Sequence, residues 1–191
     1  MQIVLMRHGR PAIDGQQRLS ARSFGAWVDQ YNAAAIDPAS PPPAAAISQA
    51  RLARHVLCST LPRSLTSAAA LGIDAPHGQD TAFRELEMPH ADWHFPILPV
   101  GLWSVLFRLA WALGYHRHAE SFASARTRAA ACATTLSQLA ATHGSVLFIG
   151  HGALNGFIAR ALRQSGWHSA DSAPRHYWQY AIFSRPTIQA P

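Results

Sequence analysis

The chain has 191 residues, 49% of them hydrophobic and 14% charged, a size and mix that fit one globular domain and exclude a disordered, collagenous or coiled-coil chain. Sixteen basic and ten acidic residues leave a formal charge of +6, and every basic residue is an arginine. Without a lysine there is no Schiff-base, pyridoxal phosphate or P-loop chemistry, so any phosphate must be gripped by the planar arginine fork.

Ile3 to Met6 is an apolar run ending at Arg7-His8-Gly9, which reads as a buried parallel strand running into a loop. From Ser20 a helix is predicted, with Phe24, Trp27, Val28 and Tyr31 on one face, and the proline-rich stretch Asp37 to Pro43 breaks the chain after it. A second helix over Ala45–Arg54 leads into a strand over His55–Cys58. Pro62 then opens a third helix, since proline is tolerated in the first turn. Thr81 to Glu87 is predicted as a strand or an extended loop. Phe95 to Tyr115 is the most hydrophobic stretch; its length would nominally span a membrane, but Pro96, Pro99, Gly101 and Arg108 argue against a span. Ala119 to Ala141 carries Phe122, Ala125, Ala129, Cys132, Leu136 and Leu139 at amphipathic helical spacing. Val146 to Ile149 is a strand, a helix begins after His151 with Leu154, Phe157, Ile158, Ala161 and Leu162 on its buried face, and Tyr177 to Phe183 is the last strand. Strands alternating with helices predict a three-layer α/β/α sandwich around a mostly parallel sheet.

The isoelectric point of about 10.3 raises nucleic acid as a partner, yet the arginines are scattered from Arg7 to Arg185 without an interleaved aromatic platform, and none is expected. Cys58 and Cys132 fit neither a zinc spacing nor a disulfide framework. With no secretory pattern in the first residues, a reducing, cytoplasmic setting is expected. The histidines show no HExxH or comparable spacing, so no metal and no cofactor is expected.

Three strand-to-helix junctions each present a cation or an imidazole: Arg7-His8-Gly9, Arg63, and His151-Gly152. In a parallel sheet the carboxyl ends of strands share one edge, so these segments can converge on one crevice. Two arginines and helix N-termini there would hold a phosphoryl group. One imidazole could attack phosphorus while the other donates to its oxygens. Gly150-His151-Gly152-Ala153-Leu154-Asn155-Gly156 also suggests a dinucleotide fingerprint, but the glycine spacing is one residue too long and Asp171 follows no strand-like run.

The order Leu5-Met6-Arg7-His8-Gly9, then Ser59-Thr60-Leu61-Pro62-Arg63, then Phe83-Arg84-Glu85, then Phe148-Ile149-Gly150-His151-Gly152 resembles the histidine phosphatase superfamily, also called phosphoglycerate-mutase-like, over nearly the whole chain. That resemblance implies a metal-independent phosphomonoester hydrolase acting on a phosphorylated small molecule or a phosphoprotein. It makes His8 the nucleophile that becomes a phosphohistidine, with Arg7, Arg63 and His151 completing the phosphate pocket beside Gly152. Glu85 would be the proton donor; Glu87, two residues on, would point to the same side of an extended segment. Arg18 stands where many members hold substrate or phosphate with an arginine, whereas Asp14 stands where many carry asparagine. Residues 1–191 would form one domain with a capping insertion at about 88–118, including a helix from Val100 to Leu113. The alternatives are a binding module for phosphate or phosphoproteins without turnover, a phosphomutase, and a partner-docking or membrane-surface protein using Phe95 to Tyr115.

Overall fold

The computed structural model describes residues 1–186. Strand β1 (Gln2–Arg7) is buried from Ile3 to Met6 on both faces, as an unbroken apolar run in a parallel sheet should be. A two-residue strand β2 (Arg18–Leu19) precedes helix α1 (Ala21–Ala33), whose start is fixed by Ser20: its hydroxyl accepts from the Ser23 amide at 3.2 Å. Helix α2 (Ala44–Arg51) follows the proline break and ends earlier than its alanine-rich pattern predicts. Strand β3 (His55–Ser59) and helix α3 (Pro62–Ala70) come next, with Pro62 in the first turn.

Strand β4 (Gly78–Asp80) runs into a turn of 3-10 helix over Thr81–Phe83, held by the Asp80 carboxylate accepting from the Ala82 amide. Of the strand or extended loop expected over Thr81–Glu87, the strand is absent: Thr81–Phe83 is 3-10 helix and Arg84 to Glu87 form an irregular segment. After the short strand β5 (Leu98–Pro99) come helix α4 (Val100–Ala112), helix α5 (Phe122–His143), strand β6 (Ser145–Gly150), helix α6 (Gly152–Gln164) and strand β7 (Tyr180–Ser184). The last strand starts three residues later than predicted. Gln179 accepts the amides of Arg175 and His176 on its side-chain oxygen, and Trp178 adopts φ 63°, so Tyr177 lies in a tight turn.

Among the described residues, five strands form the central sheet in the order β4-β3-β6-β1-β7, parallel except for β7. Helices α5 and α6 pack on one face through Ala129, Leu136, Leu154 and Ile158 against Ile3, Leu5 and Phe148. On the other face α2 and α3 bring Ala46, Ala50 and Ala68 onto Val4, Met6 and Leu147. A third apolar cluster joins α1 to α4 through Phe24, Trp103 and Phe107, beyond the carboxyl edge of the sheet. The antiparallel pairing of β2 with β5 ties the segment after β1 to the segment before α4. Among the described residues no helix is long and apolar enough to cross a membrane.

Candidate active site

The register of the sheet explains why distant histidines meet. Arg7 pairs with Gly150 at the ends of β1 and β6, and the His8 amide continues the ladder to the Gly150 carbonyl at 2.9 Å. His8 and His151 are thus the first residues past two adjacent strands, with ring centroids 5.1 Å apart. Strand β3 flanks β6 on its other side and ends at Ser59, whose hydroxyl lies 2.6 Å from His151 Nε2. Residue 9 must be glycine, because a Cβ there would come within 2.3 Å of the Trp178 ring.

His8 Nδ1 lies 2.6 Å from the Gly9 carbonyl oxygen. A carbonyl only accepts, so Nδ1 carries the hydrogen and Nε2 presents its lone pair. Arg63 Nε donates to that lone pair at 3.2 Å. The rest of the Arg63 fork donates to the Tyr31 carbonyl at 2.9 Å and to Asn32 Oδ1 at 3.4 Å, and its guanidinium lies over the Tyr31 ring. Burial, reinforced by the adjacent Arg63 charge, pushes the His8 imidazole down to about 3, and burial followed by Arg63 and His8 holds His151 well below the ordinary histidine range. Both rings are neutral at physiological pH.

Arg7 spans the other side of the site, donating to the Arg175 carbonyl and lying over the Tyr177 ring. Its Nε and the Nδ1 of His151 are buried polar atoms without a partner among the described residues, and the Gly152 amide at the start of α6 is likewise free of one. Polar atoms left unmet in a protein interior call for a partner that comes from outside.

Glu85 reaches the same helix start. Its Oε1 accepts from the amides of Leu154 and Leu86 at 3.0 Å each, and its Oε2 accepts from Ala153 at 3.4 Å. Glu87 turns away to accept the Glu120 amide. The segment carrying both is held by two arginines. Arg108 donates to the carbonyls of Leu86 at 2.6 Å and Glu87 at 2.7 Å, and Arg128 donates to those of Ala82 and Arg84 while pairing with Glu120.

Outside these groups lies a cleft of about 780 Å³ lined by Arg7, Tyr31, Arg84, Glu85, Arg108 and Arg175, with Gly152 at its inner end. His8, Arg63 and His151 lie beneath it, fully buried. The guanidinium groups of Arg84 and Arg175 have no partner among the described residues. Arg18 is not brought to the cleft: its place in β2 turns it to the Ile97 carbonyl at 3.3 Å. Among the described residues no group of three or more His, Cys, Asp or Glu is arranged to hold a metal ion.

Sequence reading missed Ser59 as the partner of His151, Tyr31 and Tyr177 as the rings over the two arginines, and Arg84, Arg108 and Arg175. Ser59 stands inside a segment singled out for Arg63. Tyr31 stands on the predicted helix α1, where the packing of Arg63 beneath it turns its ring into the site, and Tyr177 reaches the site from the turn before β7.

No sequence-family model matches the chain and no curated protein does, so its likeness to known proteins is one of structure. It superposes on the VO3 complex of the mycobacterial glucosyl-3-phosphoglycerate phosphatase with a TM-score of 0.57 at 18% identity, covering 96% of this chain and 92% of that one. The chain has the histidine phosphatase fold. The same fold is shared with a phosphoserine phosphatase variant from Entamoeba histolytica bound to phosphoserine, at a TM-score of 0.54, 14% identity and coverage of 95% and 89%. A putative alpha-ribazole-5'-P phosphatase from Escherichia coli matches at 0.52, 20% identity and the same coverage of each chain. All three are phosphatases by name, and in this fold the sequence elements singled out above stand at the carboxyl edge of the sheet.

Proposed function

We propose that the protein hydrolyses phosphomonoesters of small molecules through a phosphohistidine formed on His8. The observation that carries this reading is the fixed His8 tautomer. Its Nδ1–H is committed to the Gly9 carbonyl, which leaves the lone pair on Nε2, the atom to which Arg63 Nε donates at 3.2 Å. Nε2 attacks phosphorus, the bond from phosphorus to the ester oxygen breaks, and Glu85 gives that oxygen a proton. Water then attacks phosphorus and passes a proton to Glu85, the phosphorus–nitrogen bond breaks, and inorganic phosphate leaves with the His8 ring restored.

Arg7, Arg63 and the Gly152 amide would neutralise the equatorial oxygens. His151 joins them if its hydrogen sits on Nδ1, and we assign that tautomer because the Ser59 hydroxyl, which accepts the Leu61 amide at 3.2 Å, can give its own hydrogen to His151 Nε2. Glu85 Oε2, with one long bond only, is the oxygen placed to carry the travelling proton. Turnover of p-nitrophenyl phosphate in the presence of a chelator, inhibited by vanadate, is the direct test. A folded protein without turnover on any phosphomonoester would overturn the proposal.

Two further outcomes are expected. Glu85→Gln cannot deliver a proton, so it should slow hydrolysis of an alkyl phosphate by about 10²–10⁴-fold and that of p-nitrophenyl phosphate, whose leaving group needs little protonation, far less. Equal slowing of both esters would place the acid elsewhere. Arg84→Ala and Arg175→Ala should each raise KM about tenfold for substrates bearing a second anionic group while leaving KM for p-nitrophenyl phosphate nearly unchanged, read from parallel steady-state assays. No difference between the substrate sets would mean the two partnerless guanidinium groups do not meet substrate.

A further inference from the structure

Helix α4 is apolar on both sides, and the α1 cluster covers only one of them. Val100, Trp103, Phe107 and Trp111 are buried. On the opposite side Leu102, Val105, Leu106, Leu109 and Leu113 are exposed, Leu109 to 59% and Leu113 to 90%, and Phe95 beside them is 81% exposed. Leu102, Leu106, Leu109 and Leu113 follow a 4-3-4 spacing, the pattern by which one helix seats its side chains between those of another. Trp93 and Ile97 in the same stretch are exposed as well, and exposed large apolar side chains gathered on one element mark an interaction surface.

Charge decides what covers it. Between Asp92 and Arg117 the sequence has one charged residue, Arg108, and both arms of its fork are engaged with the Leu86 and Glu87 carbonyls. An interfacial membrane helix carries lysine and arginine on a polar, water-facing side, whereas α4 sets an aromatic row against α1 there. The net charge of +6 on each copy opposes self-association wherever arginines would face one another. A twofold contact sets each patch against itself, so a charge-free patch is where two copies meet without apposing arginines.

We propose that the protein is a twofold dimer in solution, joined through the outer faces of two α4 helices. The contact would also hold α4, and with it Arg108, against the segment that carries Glu85. The dimer itself does not depend on the hydrolase reading.

Sedimentation equilibrium of the full chain at about 50 µM should give twice the 20.7 kDa chain mass, with dissociation on dilution. The Leu106→Glu/Leu109→Glu variant would bury carboxylates without partners and should weaken association at least about 100-fold, with an unchanged far-UV circular dichroism spectrum. Leu113→Glu, at the most exposed position, gives the same reading if the double variant fails to fold. A monomeric wild-type protein overturns the proposal, as does a folded variant that stays dimeric. A monomer that sediments with neutral or anionic vesicles overturns it in favour of a membrane surface.

Discussion

His8→Ala is expected to remove phosphatase activity, by about 10⁴-fold or more on p-nitrophenyl phosphate. The size of the loss follows from what the substitution takes away. Arg7, Arg63, His151 and the Gly152 amide remain to bind a phosphoryl group, but the imidazole nitrogen that attacks phosphorus in line is gone. The variant should still bind vanadate or phosphate, so a thermal shift with added phosphate separates loss of chemistry from loss of fold. Rapid quenching of the wild-type protein with a labelled phosphomonoester should trap an acid-labile, base-stable phosphoryl adduct on His8 that the variant lacks. Retained turnover in His8→Ala, or an adduct elsewhere, would end the phosphohistidine mechanism while leaving the fold assignment intact.

The second large effect is a loss of stability in acid. In the unfolded chain His8 and His151 titrate near the ordinary histidine value of 6.5, whereas in the native protein burial and the nearby Arg63 charge keep His8 neutral to about 3 and hold His151 well below its usual value. As pH falls through 6.5 the unfolded chain takes up protons that the native state refuses, and unfolding gains. The stability is thus complete above about 6.5 and drains away toward 3. With two such groups the slope approaches roughly 2–3 kcal/mol per pH unit across the middle of that window. His55 and His90, lowered by burial and by neighbouring histidines, act in the same direction. Urea unfolding at pH 7, 6, 5 and 4 measures the slope, and His8→Asn, which cannot titrate, should roughly halve it. A flat profile would mean that the two imidazoles are not held neutral in the folded protein.

The sequence by itself determined the central strands β1, β3 and β6 and the inner ring of the site; β2, β4 and β5 have two or three residues each and no apolar run to mark them. Unbroken apolar runs at Ile3–Met6 and Val146–Ile149 specify buried parallel strands, Ser20 and Pro62 mark helix starts, and the carboxyl ends of such strands share an edge, so Arg7, His8, Arg63 and His151 were placed together from local pattern alone. Glu85 was singled out by its position but not separated from Glu87, because alternation along an extended segment points both to one side. The tertiary structure decided between them: Arg108 and Arg128 bend that segment, one carboxylate reaches the start of α6 and the other reaches Glu120. It likewise moved Arg18 out of the cleft through the pairing of β2 with β5, and it brought Tyr31, Tyr177 and Arg175 in. The apolar stretch Phe95–Tyr115 shows the limit most clearly. Large apolar residues stand on both sides of its helix, so composition cannot say which side is covered; only packing against α1 buries Trp103 and Phe107 and leaves the leucine seam in water. Periodicity fixes which residues share an element's face, whereas long-range packing and arginine-to-carbonyl hydrogen bonds fix where irregular segments lie, and those contacts leave no pattern in neighbouring residues.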